Sequence, residues 1–126
     1  MRKKKNRYAV IDIGTNSVIL LVCDVDDRKQ LYSVVLDTAE VTRLGQGLHP
    51  TRQLQNSAID RTCATIRQYI VQARNLGVEQ VIAVGTSVLR EATNSVEFIN
   101  LIKNGFHLDV EVIPSDAEAR YAYLSI

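Results

Sequence analysis

The residues Asp12-Ile13-Gly14-Thr15-Asn16-Ser17 interrupt two short β-branched runs, Tyr8–Ile13 and Val18–Val22. Gly-Thr-Asn is turn chemistry, so the segment reads as a β-hairpin. Gly14 and Asn16 are the residue types that tolerate positive φ in such a turn. A hairpin alone does not account for Asp12. A carboxylate near the end of a strand costs free energy unless it is paired, hydrated or bound to a metal. Strand side chains alternate, so Asp12 points away from the face of Ile11 and Ile13. It stands beside a loop, Gly14 to Ser17, rich in backbone N–H groups and hydroxyls. Loops of this kind form anion-binding concavities. An acid next to an anion cradle points to a phosphate whose charge is offset by Mg²⁺, with Asp12 on the metal side. The plain hairpin and the phosphate cradle both fit these six residues.

Phosphoryl chemistry depends on positioning and charge neutralisation more than on covalent groups. Arg90 lies one helical turn after Ser87, where a strand gives way to a helix. A guanidinium there can reach a phosphate at the junction. The competing reading is a surface arginine paired with Glu91 or Glu97. Arg43, beside Leu44-Gly45, either contacts substrate or orders its loop. Cys23 and Cys63 fall in apolar patterns with no metal-ligand spacing, and read as reduced core residues. His49 and His107 are isolated, so no Ser-His-Asp set can be assembled.

These groups need a scaffold, and the patterning supplies one. Residues 30–38 read as a third strand with Leu31, Val35 and Leu36 as its apolar members, after a polar turn at Asp26-Asp27-Arg28. Three strands on short turns imply an antiparallel meander. "VTRLGQGL" follows as a glycine-marked loop leaving the sheet. Residues 56–76 form the clearest helix, with Ile59, Cys63, Ile66, Ile70 and Ala73 as one apolar stripe. Asn56 suits its N-cap, Asp60 its first turn and Gly77 its C′ position. Val81–Val84 is a continuous apolar run, as for a strand covered on both faces. Ser87 can cap a short helix. Asn94 and Glu97 resemble a capping box for a helix ending at Asn104-Gly105. Residues 108–113 suit a half-exposed strand closed by Pro114, and Ser115 opens a last helix. The order is βββαβ(α)αβα, an α/β arrangement with a mixed sheet flanked by helices.

The 126 residues are 46% hydrophobic and 23% charged, with net charge +1. This is enough chain for one domain with a core of its own. No apolar run is long enough to cross a bilayer, and the start lacks a signal-peptide pattern. The cytoplasm is the default location, with no membrane partner expected. Arg2, Lys3, Lys4, Lys5 and Arg7 make residues 1–7 a basic tail expected to be disordered, ahead of a folded part over 8–126. No aromatic residues interleave with the basic ones, so no nucleic-acid site is expected.

Four segments, "DIGTNS", "RLGQGL", "GTSVLREA" and "IPSDAEAR", in this order and spacing, resemble the N-terminal lobe of the exopolyphosphatase/guanosine pentaphosphate phosphohydrolase (Ppx/GppA) family. The resemblance covers nearly all of residues 8–126. It implies one lobe of the actin-like, ribonuclease H-like (ASKHA) fold. It further implies hydrolysis of a terminal phosphate from inorganic polyphosphate or guanosine pentaphosphate, with Mg²⁺. Gly14, Thr15, Asn16 and Ser17 would contact phosphate, Arg90 would hold a phosphate oxygen, and Glu118 would be the base for the attacking water. This chain has Ala117 where the family usually has glutamate. The family's second phosphate loop, of Asp-x-Gly-Gly-Gly-Ser type, is absent. The resemblance therefore implies half of a two-lobed active site, the rest lying in a C-terminal lobe of a longer enzyme, with a homodimer expected for that enzyme. Two other classes fit the same fold: an actin-like ATP-binding or kinase lobe, and a non-catalytic binding or dimerisation module.

Overall fold

A computed structural model describes residues 6–26 and 31–114. The elements are β1 (Asn6–Ile13), β2 (Ser17–Asp26), β3 (Leu31–Val41), α1 (Leu48–Thr51), α2 (Asn56–Asn75), β4 (Gln80–Gly85), α3 (Ser87–Glu91), α4 (Ser95–Phe106) and β5 (Val110–Val112). The polar turn after Asp26 and the final helix expected from Ser115 lie outside the described residues.

The strands form one five-stranded sheet in the order β3-β2-β1-β4-β5. β1, β2 and β3 pair antiparallel, as a meander requires. β4 joins β1 in parallel and β5 joins β4 in parallel. The carboxyl ends of β1, β4 and β5 thus share one edge of the sheet. That is where loops carry function in open α/β sheets.

The main core lies between one sheet face and the helices α2 and α4. Ala9, Ile11, Ile13, Val18, Leu20 and Val22 present fully buried side chains to Ile66, Tyr69, Phe98 and Ile102. A fully buried aliphatic side chain of this kind contributes about 1.5–3 kcal/mol. On β3, Val35 and Leu36 pack against this core as half-buried members. The opposite sheet face carries a much smaller cluster, in which Val10 and Ile82 pack against buried Val84 and Ile113. β4 is therefore covered on both faces only at its carboxyl end, where Ala83 joins the main core and Val84 the smaller one.

The structure corrects several local expectations. Arg7 is not tail. β1 begins at Asn6, and the Arg7 guanidinium grips Asp24 through Nε at 2.7 Å and Nη2 at 3.0 Å. Its Nη1 also donates to the Leu76 carbonyl at 2.8 Å, tying β1 to the end of α2. The buried side of α2 is rotated from the expected stripe. Ile59 and Cys63 are only half-buried, while Ala58, Thr62, Thr65 and Tyr69 are buried. Small side chains let the helix approach the sheet, and the Thr62 hydroxyl is satisfied by the Ala58 carbonyl at 2.8 Å. The N-cap of α2 is Gln55, not Asn56, and no acid occupies its first turn. Gly77, at φ 73, does follow α2 in the left-handed conformation.

Asn94 stands at the N-cap of α4 but caps nothing through its side chain. Its amide pairs instead with the backbone of Leu54, accepting from the N–H at 2.8 Å and donating to the carbonyl at 3.1 Å. The helix runs through Gly105 and ends at Phe106, with His107 left-handed at φ 54.

Tyr69 fixes α2 on the meander. It is 3% exposed, and its Oη donates to the Val18 carbonyl at 2.9 Å. Val18 faces Ile13 across the hairpin, so this bond anchors the base of the turn. Loss of the bond in Tyr69→Phe should lower stability by about 1–2 kcal/mol at neutral pH. The pH dependence follows from the raised pKa of the phenol, pushed up first by desolvation and then by Glu40. An unfolded tyrosine ionises near pH 10. The stabilisation is thus fully present below about pH 10 and is lost as pH rises from there through the folded value. Urea midpoints of wild type and Tyr69→Phe should differ by a constant amount in the neutral range and converge above about pH 10. Midpoints that stay equally far apart in alkali would contradict a buried, protonated phenol.

Candidate active site

The Asp12–Ser17 segment is a hairpin turn. Ile13 pairs with Val18 on one side, and the Gly14 N–H donates to the Ser17 carbonyl at 3.0 Å. The turn closes without a left-handed residue, since neither Gly14 nor Asn16 has positive φ. Positive φ occurs instead in the loop after β3, at Arg43 (φ 54) and Gly47 (φ 75).

That loop is docked onto the turn by backbone hydrogen bonds. Thr42 and Arg43 both donate their N–H to the Asn16 carbonyl at 3.0 Å, and Gly45 donates to the Thr15 carbonyl at 3.0 Å. The approach is close enough to need a glycine. A Cβ on Gly45 would stand 2.4 Å from the Thr15 Cγ2 methyl. With its carbonyls engaged, the turn keeps its donors open. Among the described residues, the N–H groups of Thr15 and Asn16 have no protein acceptor.

A third segment meets the turn from β4. Thr86 and Ser87 follow the carboxyl end of that strand, and the Ser87 Oγ lies 3.3 Å from the Thr15 Oγ1. The sequence reads Ser87 as a cap of α3. The structure gives the N-cap position to Thr86 and aims the Ser87 hydroxyl at the turn. Ser87 thus joins the candidate site, a placement missed from the sequence. The signal that could have found it is its position directly after a parallel strand's carboxyl end. Thr86 is 1% exposed, and its hydroxyl has no hydrogen-bond partner among the described residues.

Asp12 is half-buried on the sheet face away from α2, between Ile19 of β2 and Val84 of β4. Arg90 is exposed, and its Nη1 donates to the Ile113 carbonyl just past β5. Among the described residues it pairs with neither Glu91 nor Glu97. The fork therefore sits at the shared carboxyl edge, with N–H groups still to offer. Glu118 and Ala117 lie outside the described residues.

A magnesium ion suits the donors present. Mg²⁺ takes hard oxygen ligands and is commonly held by one or two carboxylates together with substrate phosphates and water. The half-buried Asp12 carboxylate and the Thr15 and Ser87 hydroxyls belong to that chemistry. Among the described residues no group of three or more His, Cys, Asp or Glu side chains is placed to hold a metal. The cysteines are not poised as nucleophiles. Burial raises the thiol pKa of both Cys23 and Cys63, which disfavours the reactive thiolate. No helix among the described residues is long and apolar enough to cross a membrane.

Open amides and facing hydroxyls lie at the turn, and an arginine fork stands beyond β5 at the same sheet edge; these are group types that can bind an anion. The chain is similar to known proteins over most of its length. The Ppx/GppA phosphatase family model matches residues 21–126. The guanosine-5'-triphosphate,3'-diphosphate pyrophosphatase of Aeromonas hydrophila is 31% identical over 116 residues, which is 92% of this chain and 23% of that protein. The crystal structure of the Aquifex aeolicus Ppx/GppA family member superposes with a TM-score of 0.85 at 36% identity, over 95% of this chain and 39% of that one. An exopolyphosphatase structure from Cytophaga hutchinsonii gives 0.81 at 32% identity, over 91% of this chain and 36% of that one. This chain thus spans about a quarter of the curated relative and under two fifths of the solved chains. With the family model matching most of the sequence and the same lobe present in its solved members, the chain belongs to the Ppx/GppA phosphatase family.

Proposed function

We propose that this chain forms one lobe of a phosphoanhydride hydrolase that releases the terminal phosphate of inorganic polyphosphate or guanosine pentaphosphate. One observation carries the reading. The open N–H groups of Thr15 and Asn16 and the 3.3 Å hydroxyl pair of Thr15 and Ser87 belong to the two segments that follow the carboxyl ends of β1 and β4. Backbone donors and hydroxyls held by a rigid sheet stabilise charge on phosphoryl oxygens without reorganisation.

The roles follow from position. Gly14, Thr15, Asn16 and Ser17 cradle the terminal phosphoryl group. Arg90 holds one of its oxygens through the part of its fork not engaged by Ile113. Asp12 would hold Mg²⁺, which when bound offsets the charge of the phosphates. Glu118 accepts a proton from water. The water oxygen forms the new bond to phosphorus, the bridging P–O bond breaks, and the shortened chain departs as the leaving group. The facing wall comes from a second lobe in a longer chain, so this lobe alone turns over little substrate.

Two substitutions in an enzyme carrying both lobes test the reading. Lysine cannot reproduce the planar fork of arginine. Arg90→Lys should therefore lose roughly 10²-fold in phosphate release from polyphosphate while its melting temperature holds. Normal hydrolysis by the lysine variant would make Arg90 a surface residue. Glu118→Gln keeps an acceptor oxygen of the same size and removes the basicity. A general base predicts a loss of roughly 10²–10⁴-fold in rate at unchanged stability. A residue that only caps a helix at Ser115 predicts near-normal turnover, and that result would remove Glu118 from the mechanism.

A further inference from the structure

Beside the turn, on the flank where the loop after β3 is docked, lies an open groove of about 480 Å³ lined by Val41, Thr42, Arg43, Gln46 and Arg61. It shares a wall with the cradle, because Thr42 and Arg43 are the residues whose amides hold the Asn16 carbonyl. Two cations line it, and among the described residues neither forms an ion pair. Arg61 gives its Nε to the Thr42 carbonyl at 3.0 Å and its Nη2 to the Gln46 Oε1 at 2.6 Å. A guanidinium has five N–H donors, so three remain. Arg43 sits at φ 54, a conformation disfavoured for any residue with a Cβ. Non-glycine residues held in this region recur at ligand clamps.

A purely structural account makes Arg61 a tether and Arg43 a solvated loop residue. It explains two of the Arg61 donors. It leaves unexplained why an arginine occupies a backbone position that glycine would fill without strain, at the lip of a groove already holding a second unpaired arginine.

We propose that this groove is a second phosphoryl subsite, which takes phosphates of the substrate beyond the terminal one. The proposal rests on the phosphohydrolase reading above and adds a requirement to it: the ligand is a chain or pair of phosphate groups, and a single phosphate engages only the cradle. The further phosphates come from the interior of an inorganic chain or from the second phosphate cluster of guanosine pentaphosphate.

Calorimetric titration of the full chain with orthophosphate, long-chain polyphosphate and guanosine pentaphosphate tests it. The variants are Arg43→Gly, Arg61→Gln and, for the cradle, Arg90→Lys. Arg43→Gly suits the left-handed backbone, so its melting temperature should equal or exceed that of wild type. Both groove variants should weaken polyphosphate binding about tenfold, or about 1.4 kcal/mol, and leave orthophosphate within about twofold. An equal loss with guanosine pentaphosphate assigns the groove to the nucleotide's second phosphate cluster as well; a loss confined to polyphosphate assigns it to the inorganic chain. Unchanged polyphosphate binding by a folded Arg43→Gly, or an equal loss for orthophosphate, would overturn the subsite. If Arg90→Lys alone binds all three ligands normally, the cradle assignment fails while the groove stands. If wild type binds none of them, both fall together.

Discussion

Three backbone hydrogen bonds hold the candidate site's edge of this lobe in shape. The amides of Thr42, Arg43 and Gly45 are donated to the carbonyls of Asn16 and Thr15. They do two things at once. They engage the Thr15 and Asn16 carbonyls of a hairpin turn, whose own N–H groups at those two residues have no backbone acceptor among the described residues. They also fix a loop that would otherwise leave the sheet from β3 with no reason to return. Both partners are main chain, so the geometry depends on the fold and only weakly on which side chains the loop carries. The three bonds themselves use no side chain of Thr15 or Arg43.

The rest of the lobe supports that edge from behind. Tyr69 reaches from α2 to the Val18 carbonyl at the base of the hairpin, and Arg7 ties the other end of β1 to Asp24 and the end of α2. β1 is therefore held near both its ends, with its middle in the main core. β4 brings Ser87 to the turn because it lies parallel to β1 in register, Ile13 opposite Gly85. A shift of one residue would exchange the two faces of β4 and carry Ser87 away from Thr15.

Much of this was legible in the sequence. Period-two runs and short polar turns give the meander, and the continuous apolar run at residues 81–84, closed by Gly85, gives a further strand. The four motifs lead to the family. The failures share a cause: side chains with two plausible uses. Asn94 has the residue type of a cap and spends its amide on Leu54, a contact 40 residues away in sequence. Ser87 also reads as a cap and faces Thr15 instead. The apolar stripe of α2 follows Ile59 and Cys63 by hydrophobicity, whereas the helix buries the side on which Ala58 and Thr62 permit close approach. Arg7 looks like one more charge in a basic run until Asp24 is brought opposite it by strand pairing. Each of these choices is made by tertiary neighbours, which a local pattern does not contain.

The contact between Gly45 and Thr15 has an evolutionary side. A methyl at position 45 would meet the threonine methyl at 2.4 Å, but the backbone oxygen of Thr15 only at 3.4 Å, an ordinary contact distance. The obstacle is thus one methyl group, not the main chain. Serine at position 15 would keep the hydroxyl that faces Ser87 and remove that methyl. Positions 15 and 45, thirty residues apart, are therefore expected to vary as a pair: threonine with glycine, or serine with a residue as large as alanine. In a lineage of such lobes, a change at the loop glycine would become tolerable only after the turn had first given up its methyl, which fixes the order in which the two substitutions can arrive.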